Sequence, residues 1–311
     1  MGQIFGPVPS RRLGFSLGVD TIPFKTCSLD CIYCQLGRTT NKTTERKGYI
    51  ATDDILREIE EVLREGKRID YITFSGSGEP TLNSEIKRMI GRIKELTSIP
   101  LAILTNGTLL YKPRMREDLT GADLVIPSLD TVTQEIFERI NRPHPSLKID
   151  EIITGIDAFS QEFKGKIWLE IMLVKGINDS PEEIKKTAQV THEMNLEKIQ
   201  LNTVVRPPAE EFARPLRTED LKNIKTILGE KCEIIAEFQR PTPKDYKREV
   251  EKTILSMVKR RPVTLVDISH CLGLQRNEII KYLQVLEKKH QIRTKVHGGE
   301  RYYHSGYSYR L

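Results

Sequence analysis

The sequence contains no long apolar segment. No run approaches the roughly 18 residues that a membrane-spanning helix needs, which excludes a transmembrane protein. The first residues, MGQIFGPVPSRRLGFSLG, also lack the apolar core of a secretory signal. The chain has 311 residues, of which 38% are apolar and 30% charged, and this is enough for one large and one small domain. We therefore expect a globular, cytoplasmic protein.

Cysteine is scarce and unevenly placed. The chain has five cysteines, and three of them lie within the segment Cys27-Ser-Leu-Asp-Cys31-Ile-Tyr-Cys34. A disulfide-rich secreted domain does not show this pattern, whereas an intracellular metal site does. A structural zinc ion needs a fourth ligand, for which the sequence offers no specific candidate. Three thiolates suit a [4Fe–4S] cluster with one iron left open, and three core cysteines in a loop are the alternative.

Positive charge is concentrated near the C-terminus. Residues 244–311 contain 15 Lys and Arg against 7 Asp and Glu, whereas the preceding residues contain 34 and 36. A polyanionic partner for this basic segment fits the distribution, and so does a solvated surface without a partner.

Short apolar runs alternate with amphipathic helical patterns from about residue 50 to residue 240. Runs that are apolar on both faces and end in polar residues or glycine are typical of buried parallel strands. The predicted strands are 15–21, 71–75, 101–104, 124–127, 167–174 and 199–203. The predicted helices are 53–65 with a Thr52 cap, 83–96, 133–140, 150–163, 181–194 with a Ser180 cap, and 218–228. This alternation predicts an α/β fold with a parallel sheet, either an open barrel or a doubly wound sheet.

The pattern changes at residues 241–243, where we predict a boundary between a domain of residues 1–240 and a domain of residues 244–311. Helices are predicted at 249–259, 264–271 and 275–289, and a hairpin turns at residues 297–300. This order predicts a small winged helix-turn-helix domain that contacts nucleic acid or a protein. The third of these helices would present Arg276, Asn277, Lys281, Lys288 and Lys289.

The C-x3-C-x2-C segment, placed after a first strand and before an α/β alternation, resembles the radical S-adenosylmethionine (SAM) superfamily over residues 10–240. The resemblance implies an open (β/α)6 partial TIM barrel with a [4Fe–4S] cluster on Cys27, Cys31 and Cys34. It implies an oxidoreductase that cleaves SAM to a 5′-deoxyadenosyl radical, with a ferredoxin- or flavodoxin-like electron donor. Residues 9–14 (PSRRLG) are similar to a branch of uncharacterised Fe–S oxidoreductases, distantly similar to the wyosine-forming tRNA enzymes.

The resemblance also implies a set of SAM-binding residues, each at or near the end of a predicted strand apart from Tyr33, which lies in the cysteine segment. Ligand sites of parallel α/β folds gather at these strand ends. Tyr33 would pack near the adenine, and Gly76, Gly78 and Glu79 would receive the methionine amino group. The other implied contacts are Asn106 after the third strand, Ser128 and Asp130 for the methionine carboxylate or ribose, Glu170 for the ribose and Asn202 near the adenine.

The remaining candidates are less specific. Cationic side chains that would face an anionic substrate or partner, or alternatively cap strands and helices, are Arg11, Arg12, Arg142, His144, Arg206 and Arg214. We interpret Cys232 and Cys271 as core residues and expect a single cluster. The leading hypothesis is a radical SAM enzyme that acts on an unidentified substrate, with a macromolecular substrate, RNA or protein, as a sub-hypothesis. The alternative is a DNA-binding regulator whose cluster responds to redox state or SAM.

Overall fold

The computed structural model describes residues 3–10, 12–206, 208–236, 243–260, 262–272, 274, 276–297 and 300–305. The chain divides into two compact units, Met1–Phe238 and Gln239–Leu311. Arg11, residues 241–242 of the predicted boundary and the glycines of the predicted hairpin turn, Gly298 and Gly299, lie outside the described residues. Within the described part of the chain, no helix is both long and apolar enough to cross a membrane.

The first unit alternates strands and helices. Its strands are β1 (Ile4–Ser10), β2 (Gly14–Val19), β3 (Thr26–Cys27), β4 (Asn41–Lys42), β5 (Tyr71–Phe74), β6 (Leu101–Thr105), β7 (Leu124–Pro127), β8 (Lys166–Leu173), β9 (Lys198–Thr203) and β10 (Cys232–Ile234). Its helices are α1 (Thr52–Arg64), α2 (Ile86–Leu96), α3 (Pro113–Asp118), α4 (Gln134–Ile140), α5 (Ile149–Glu162), α6 (Pro181–Glu193) and α7 (Thr218–Leu228), with a 3-10 turn at Pro80–Leu82.

The main sheet is mostly parallel. Its order is β1-β2-β5-β6-β7-β8-β9-β10, and only β1 runs antiparallel to its neighbour among these described strands. The six predicted strands correspond to β2 and β5 to β9, which confirms the α/β class. Because these strands are parallel, their carboxyl ends share one edge of the sheet, where side chains from distant segments meet. The strands β1 and β10 extend the sheet at its two edges and were not predicted.

The apolar residues of the sheet explain its stability. Strand β7 is buried along its whole length, as expected for a strand covered on both faces. Helix α2 buries Ile86, Met89, Ile90 and Ile93, which follow the spacing of one helical face. These residues belong to the main hydrophobic core of the unit.

Two predicted helix starts differ in their outcome. The Ser180 cap is confirmed, since its side chain accepts a hydrogen bond from Glu183 N. The Thr52 cap is wrong: Ala51 is the capping residue, and Thr52 is the first helical residue, buried with its hydroxyl unpartnered in the described structure. A threonine before an acidic pair resembles a cap in sequence, but here its side chain packs inward.

The second unit contains α8 (Pro243–Arg260), β11 (Val263–Thr264), α9 (Leu265–Leu272), α10 (Arg276–Lys288), β12 (Ile292–His297) and β13 (Glu300–Ser305). Its three strands pair in the order β11-β13-β12, and Ile254, Ile268, Ile279 and Leu286 lie in its core. The prediction that Cys271 is a core residue is wrong, because Cys271 is exposed on α9. Cys232 is buried in the first unit, as predicted. The winged-helix assignment stays a prediction.

Candidate metal centre

The three clustered cysteines lie on a loop that begins at β3 and returns at β4. The loop is anchored on the residues that end α4: Asp30 N donates to Asn141 O at 2.9 Å, and Ile32 N donates to Ile140 O at 3.0 Å. Ile32, which lies between Cys31 and Cys34 in the sequence, is fully buried. Backbone hydrogen bonds and a buried apolar side chain therefore hold the loop against the C-terminal end of α4.

Each of the three sulfur atoms accepts a hydrogen bond from a different part of the chain. The donors are Leu29 N and Asn106 Nδ2 for Cys27 (both 3.5 Å), Asn141 Nδ2 for Cys31 (3.3 Å) and Lys25 Nζ for Cys34 (3.4 Å). Donors directed at sulfur favour the thiolate form and tune an iron–sulfur cluster. This donor set fits a cluster held by three thiolates.

Without a metal, burial favours the protonated form of two of the thiols, Cys27 and Cys31. Burial raises the pKa of Cys27 to about 12, and the nearby Glu79 carboxylate adds to the effect. Burial also raises the pKa of Cys31 well above its usual value, with Asp130 as the next cause. Metal binding would therefore release protons from this loop. Within the described residues, no three His, Cys, Asp or Glu side chains are grouped as they would be around one metal ion.

The loop Gly76–Ser77–Gly78–Glu79 lies directly against the start of the cysteine loop. Lys25 N donates to Ser77 O at 2.6 Å, and Glu79 N donates to Thr26 O at 3.1 Å. A Cβ on Gly78 would stand 2.9 Å from the Thr26 carbonyl carbon and closer still to its oxygen. Only glycine permits this approach, which explains why the motif needs Gly78 at this position.

Glu79 is a buried acceptor for its neighbours. Its Oε1 accepts from Thr81 N (3.1 Å), Thr81 Oγ1 (2.6 Å) and Thr105 Oγ1 (2.6 Å), and its Oε2 accepts from Asn106 N (2.7 Å). Burial raises the pKa of Glu79 despite these donors. A carboxylate has about four acceptor positions, so this set leaves little capacity for a ligand. Glu79 ties the end of β6 to the loop after β5.

Asp130 occupies a similar position after β7. Its Oδ2 accepts from Tyr33 OH at 2.5 Å and Asn141 Nδ2 at 2.7 Å, and its Oδ1 accepts from Met172 N at 2.9 Å. The side chain is 5% exposed, and burial raises its pKa to about 6. Because both oxygens are engaged, the carboxylate fixes Tyr33 and Asn141, and Asn141 in turn contacts Cys31.

The predicted residues on β8 and β9 belong to one polar network. Glu170 Oε1 accepts from Arg12 Nη2 at 3.1 Å and from Asn202 Nδ2 at 2.9 Å. Arg12 Nη1 also donates to Gln200 Oε1 at 3.2 Å. The Arg12 side chain is 12% exposed, so it is an internal partner of the sheet in this structure. Buried polar groups on apolar strands are compensated here by one another.

The other predicted side chains lie around these networks. Ser128 is half-buried where β7 meets β8, and its backbone N donates to Thr105 O at 3.0 Å. Arg142 pairs with Glu210, His144 Nδ1 lies 2.9 Å from Ser146 Oγ, and Arg206 donates to Gln35. Each of these three side chains has a hydrogen-bonding partner within the protein, which favours the alternative of a structural role.

A small cleft opens beside the cysteine loop. It has a volume of about 120 Å³ and is lined by Tyr33, Cys34, Met172, Thr203 and Arg206, among others. The cleft joins the last cysteine of the loop to the carboxyl ends of β8 and β9. The cleft therefore places Cys34 and Tyr33 beside the carboxyl ends of these two strands.

Sequence reasoning missed two side chains that contact the sulfurs, Lys25 and Asn141. Asn141 caps the C-terminus of α4 and is 3% exposed, and an asparagine at a helix end has no distinctive signal in one sequence. Lys25 precedes the first cysteine by two residues and is 3% exposed. A lysine in a loop is normally interpreted as exposed, so its burial could not be predicted from its type.

Comparison with known proteins identifies the relatives of the chain. A model of the Radical SAM superfamily matches residues 21–189, more than half of the chain. The chain is 38% identical over 286 residues to the UPF0026 protein MJ1312 of Methanocaldococcus jannaschii, a match that covers 90% of this chain and 85% of that protein.

Two further matches differ in what they cover. The chain is 40% identical over 302 residues to a Brachyspira hyodysenteriae protein named GTPase Obg, which covers 96% of this chain but 44% of that longer protein. A crystal structure of a radical SAM methyltransferase from Sphaerobacter thermophilus superposes with a TM-score of 0.56 at 19% identity, covering 70% of this chain and 65% of that one. The structural match supports the fold.

Proposed function

The chain belongs to the radical SAM superfamily, and from that membership we propose that it is an enzyme that abstracts a hydrogen atom from its substrate. Members of the superfamily are enzymes that bind a [4Fe–4S] cluster and SAM. The observation that carries the proposal is the cysteine loop, in which each of three thiols has its own hydrogen-bond donor. In this proposal the mostly parallel sheet forms the (β/α)6 partial barrel, and the cysteine loop covers its carboxyl edge.

Cys27, Cys31 and Cys34 would hold the cluster, with one iron open to SAM. Together the reduced cluster and SAM would supply reductive cleavage of the cofactor and hydrogen abstraction from the substrate, with the electron provided by a donor of the ferredoxin or flavodoxin class. Tyr33 would contact the adenine, and its hydrogen bond to Asp130 fixes the ring.

The residues near the cysteine loop divide into two groups by whether their hydrogen-bonding positions are already occupied. Glu79 and Asp130 are buried and occupied by backbone and side-chain donors, so we assign them to positioning the loops that contact SAM. Gly76, Gly78 and Ser128 offer SAM backbone groups and a small polar side chain at the same edge. Asn106 is engaged by Glu79, Ser28, Thr108 and the Cys27 sulfur, so we assign it to positioning as well. Glu170 and Asn202 serve the ribose and adenine end through the network that Arg12 completes.

The second unit has a different role in the proposal. Among the exposed cations of its described residues are Arg276, Lys281, Lys288, Arg293, Lys295 and Arg301. Cations on one helix and one hairpin favour contact with a polyanion, so we assign this unit to a macromolecular substrate or partner. Salt-dependent binding would be its signature. The findings give no support to the alternative of a DNA-binding regulator.

The test is anaerobic turnover of SAM. The reconstituted protein with dithionite and SAM should form 5′-deoxyadenosine, and Cys31→Ala should reduce the product to background. Cys271→Ala is the matched control, because Cys271 is exposed on the second unit and should leave the yield unchanged. Absence of product in the wild-type protein with an intact cluster and bound SAM would overturn the proposal.

A further inference from the structure

Lys25 is a buried lysine at the entrance to the cysteine loop. The residue is 3% exposed, and its backbone adopts the left-handed conformation with φ 59°. Fully buried lysines are rare unless the ammonium is paired. Lys25 therefore needs a specific partner.

The backbone around Lys25 is fixed from two sides. Lys25 N donates to Ser77 O at 2.6 Å, and Lys25 O accepts from Thr40 N at 3.2 Å and Asn41 N at 3.1 Å. These bonds connect the residue to the glycine-rich loop after β5 and to the returning end of the cysteine loop. Hydrogen bonds to these two segments thus fix the backbone from which the buried Lys25 side chain extends.

The partner of the ammonium is a sulfur atom. Lys25 Nζ donates to Cys34 Sγ at 3.4 Å. Within the described residues, no carboxylate oxygen lies within the 4.0 Å of an ion pair with this ammonium. A buried ammonium is costly unless a negative group compensates it. A thiolate at Cys34 supplies that negative group, whereas a neutral thiol does not.

We propose that Lys25 is a positioning residue that holds a cationic hydrogen bond on Cys34 Sγ and thereby raises the reduction potential of the cluster. This inference rests on the proposed function. Reduction moves one electron from the donor to the cluster, so the donor is oxidised by one electron and no bond or proton changes place. A fixed positive charge next to a ligand sulfur stabilises the more negative, reduced state.

The test is a redox titration of the full-length holoprotein, followed by the EPR signal of the reduced cluster. Lys25→Met removes the charge and the hydrogen-bond donor. It should lower the equilibrium constant for one-electron reduction about tenfold or more, and each tenfold change lowers the reduction potential by about 59 mV. Lys25→Arg keeps a cation and should lie closer to the wild type. Lys47→Met is the matched control, because its exposed ammonium lies over the Tyr49 ring and contacts no sulfur among the described residues.

The outcomes separate this inference from the proposed function. Equal reduction potentials for the wild type, Lys25→Met and Lys47→Met, at equal iron content, would overturn the role of Lys25. The proposed function would not be affected by that result. If Lys25→Met does not assemble a cluster, Lys25→Gln keeps an uncharged N–H donor and is titrated in its place. Loss of the cluster in the neutral variants but not in Lys25→Arg supports the requirement for charge, and loss in all three overturns it. A wild-type protein that assembles no cluster would instead overturn the proposed function.

Discussion

Replacing Gly78 with alanine tests the contact between the glycine-rich loop and the cysteine loop. The new Cβ would stand 2.9 Å from the Thr26 carbonyl carbon and closer to its oxygen, and this neighbour is backbone that cannot rotate away. The two loops would have to separate, which weakens the bonds Glu79 N to Thr26 O (3.1 Å) and Lys25 N to Ser77 O (2.6 Å). Two such hydrogen bonds at about 1 kcal/mol each, together with about 1–3 kcal/mol of overpacking strain, give a loss of about 3–5 kcal/mol in the free energy of unfolding.

The assay is urea denaturation of the metal-free variants, with iron content after reconstitution as a second readout. Gly91→Ala is the matched control, because Gly91 is an exposed residue of α2 with no atom within 4 Å of its added Cβ. That change should stabilise the helix by about 0.5–1 kcal/mol. Cluster loading should fall in Gly78→Ala and stay normal in Gly91→Ala. A Gly78→Ala protein as stable and as well loaded as the wild type would refute the close approach.

Two further predictions concern buried charges. Burial raises the pKa of Asp130 from 3.8 to about 6, so native protein binds more protons than unfolded protein between these values. The contribution of Asp130 to the stability of the metal-free protein should therefore be greatest below about pH 4 and fall by up to about 3 kcal/mol as the pH rises through 6. It is measured as the difference in pH dependence between the wild type and Asp130→Asn, and identical pH profiles for the two proteins would contradict this assignment. Arg46→Met should cost about 3 kcal/mol or more in urea denaturation, because Asp118 lies 2.7 Å away with 8% of its side chain exposed and would remain buried without its partner. Arg57→Met, in an exposed pair, should change stability by at most about 0.5 kcal/mol, and equal losses in both variants would disprove the distinction.

The parallel sheet was predictable because its strands are buried on both faces and read as continuous apolar runs. β7, Leu-Val-Ile-Pro, is an example in which the predicted and observed bounds coincide. β1 was missed because residues 4–10 contain two prolines and a glycine, which weaken the strand signal. Its antiparallel pairing with β2 depends on tertiary structure and could not be predicted from the local sequence.

The cysteine loop was predictable from spacing, since three thiols so close together have few structural explanations. The role of Asn141 was not, because it reaches Cys31 across 110 positions. Arg12 and Glu170 were both candidates, but their pairing across 158 positions could not be predicted from the local sequence. The error at Cys271 has a similar origin: an apolar neighbourhood in sequence suggested burial, but the helix turns that side chain to the surface.

The most direct test of the central claim is an anaerobic count of iron and sulfide, combined with the EPR spectrum of the reduced protein before and after SAM is added. We expect about four irons and four sulfides per chain, held by Cys27, Cys31 and Cys34. We also expect a spectrum that SAM alters, because one iron is open to the cofactor. Bound zinc in place of iron, or a four-iron cluster whose spectrum SAM leaves unchanged, would contradict it.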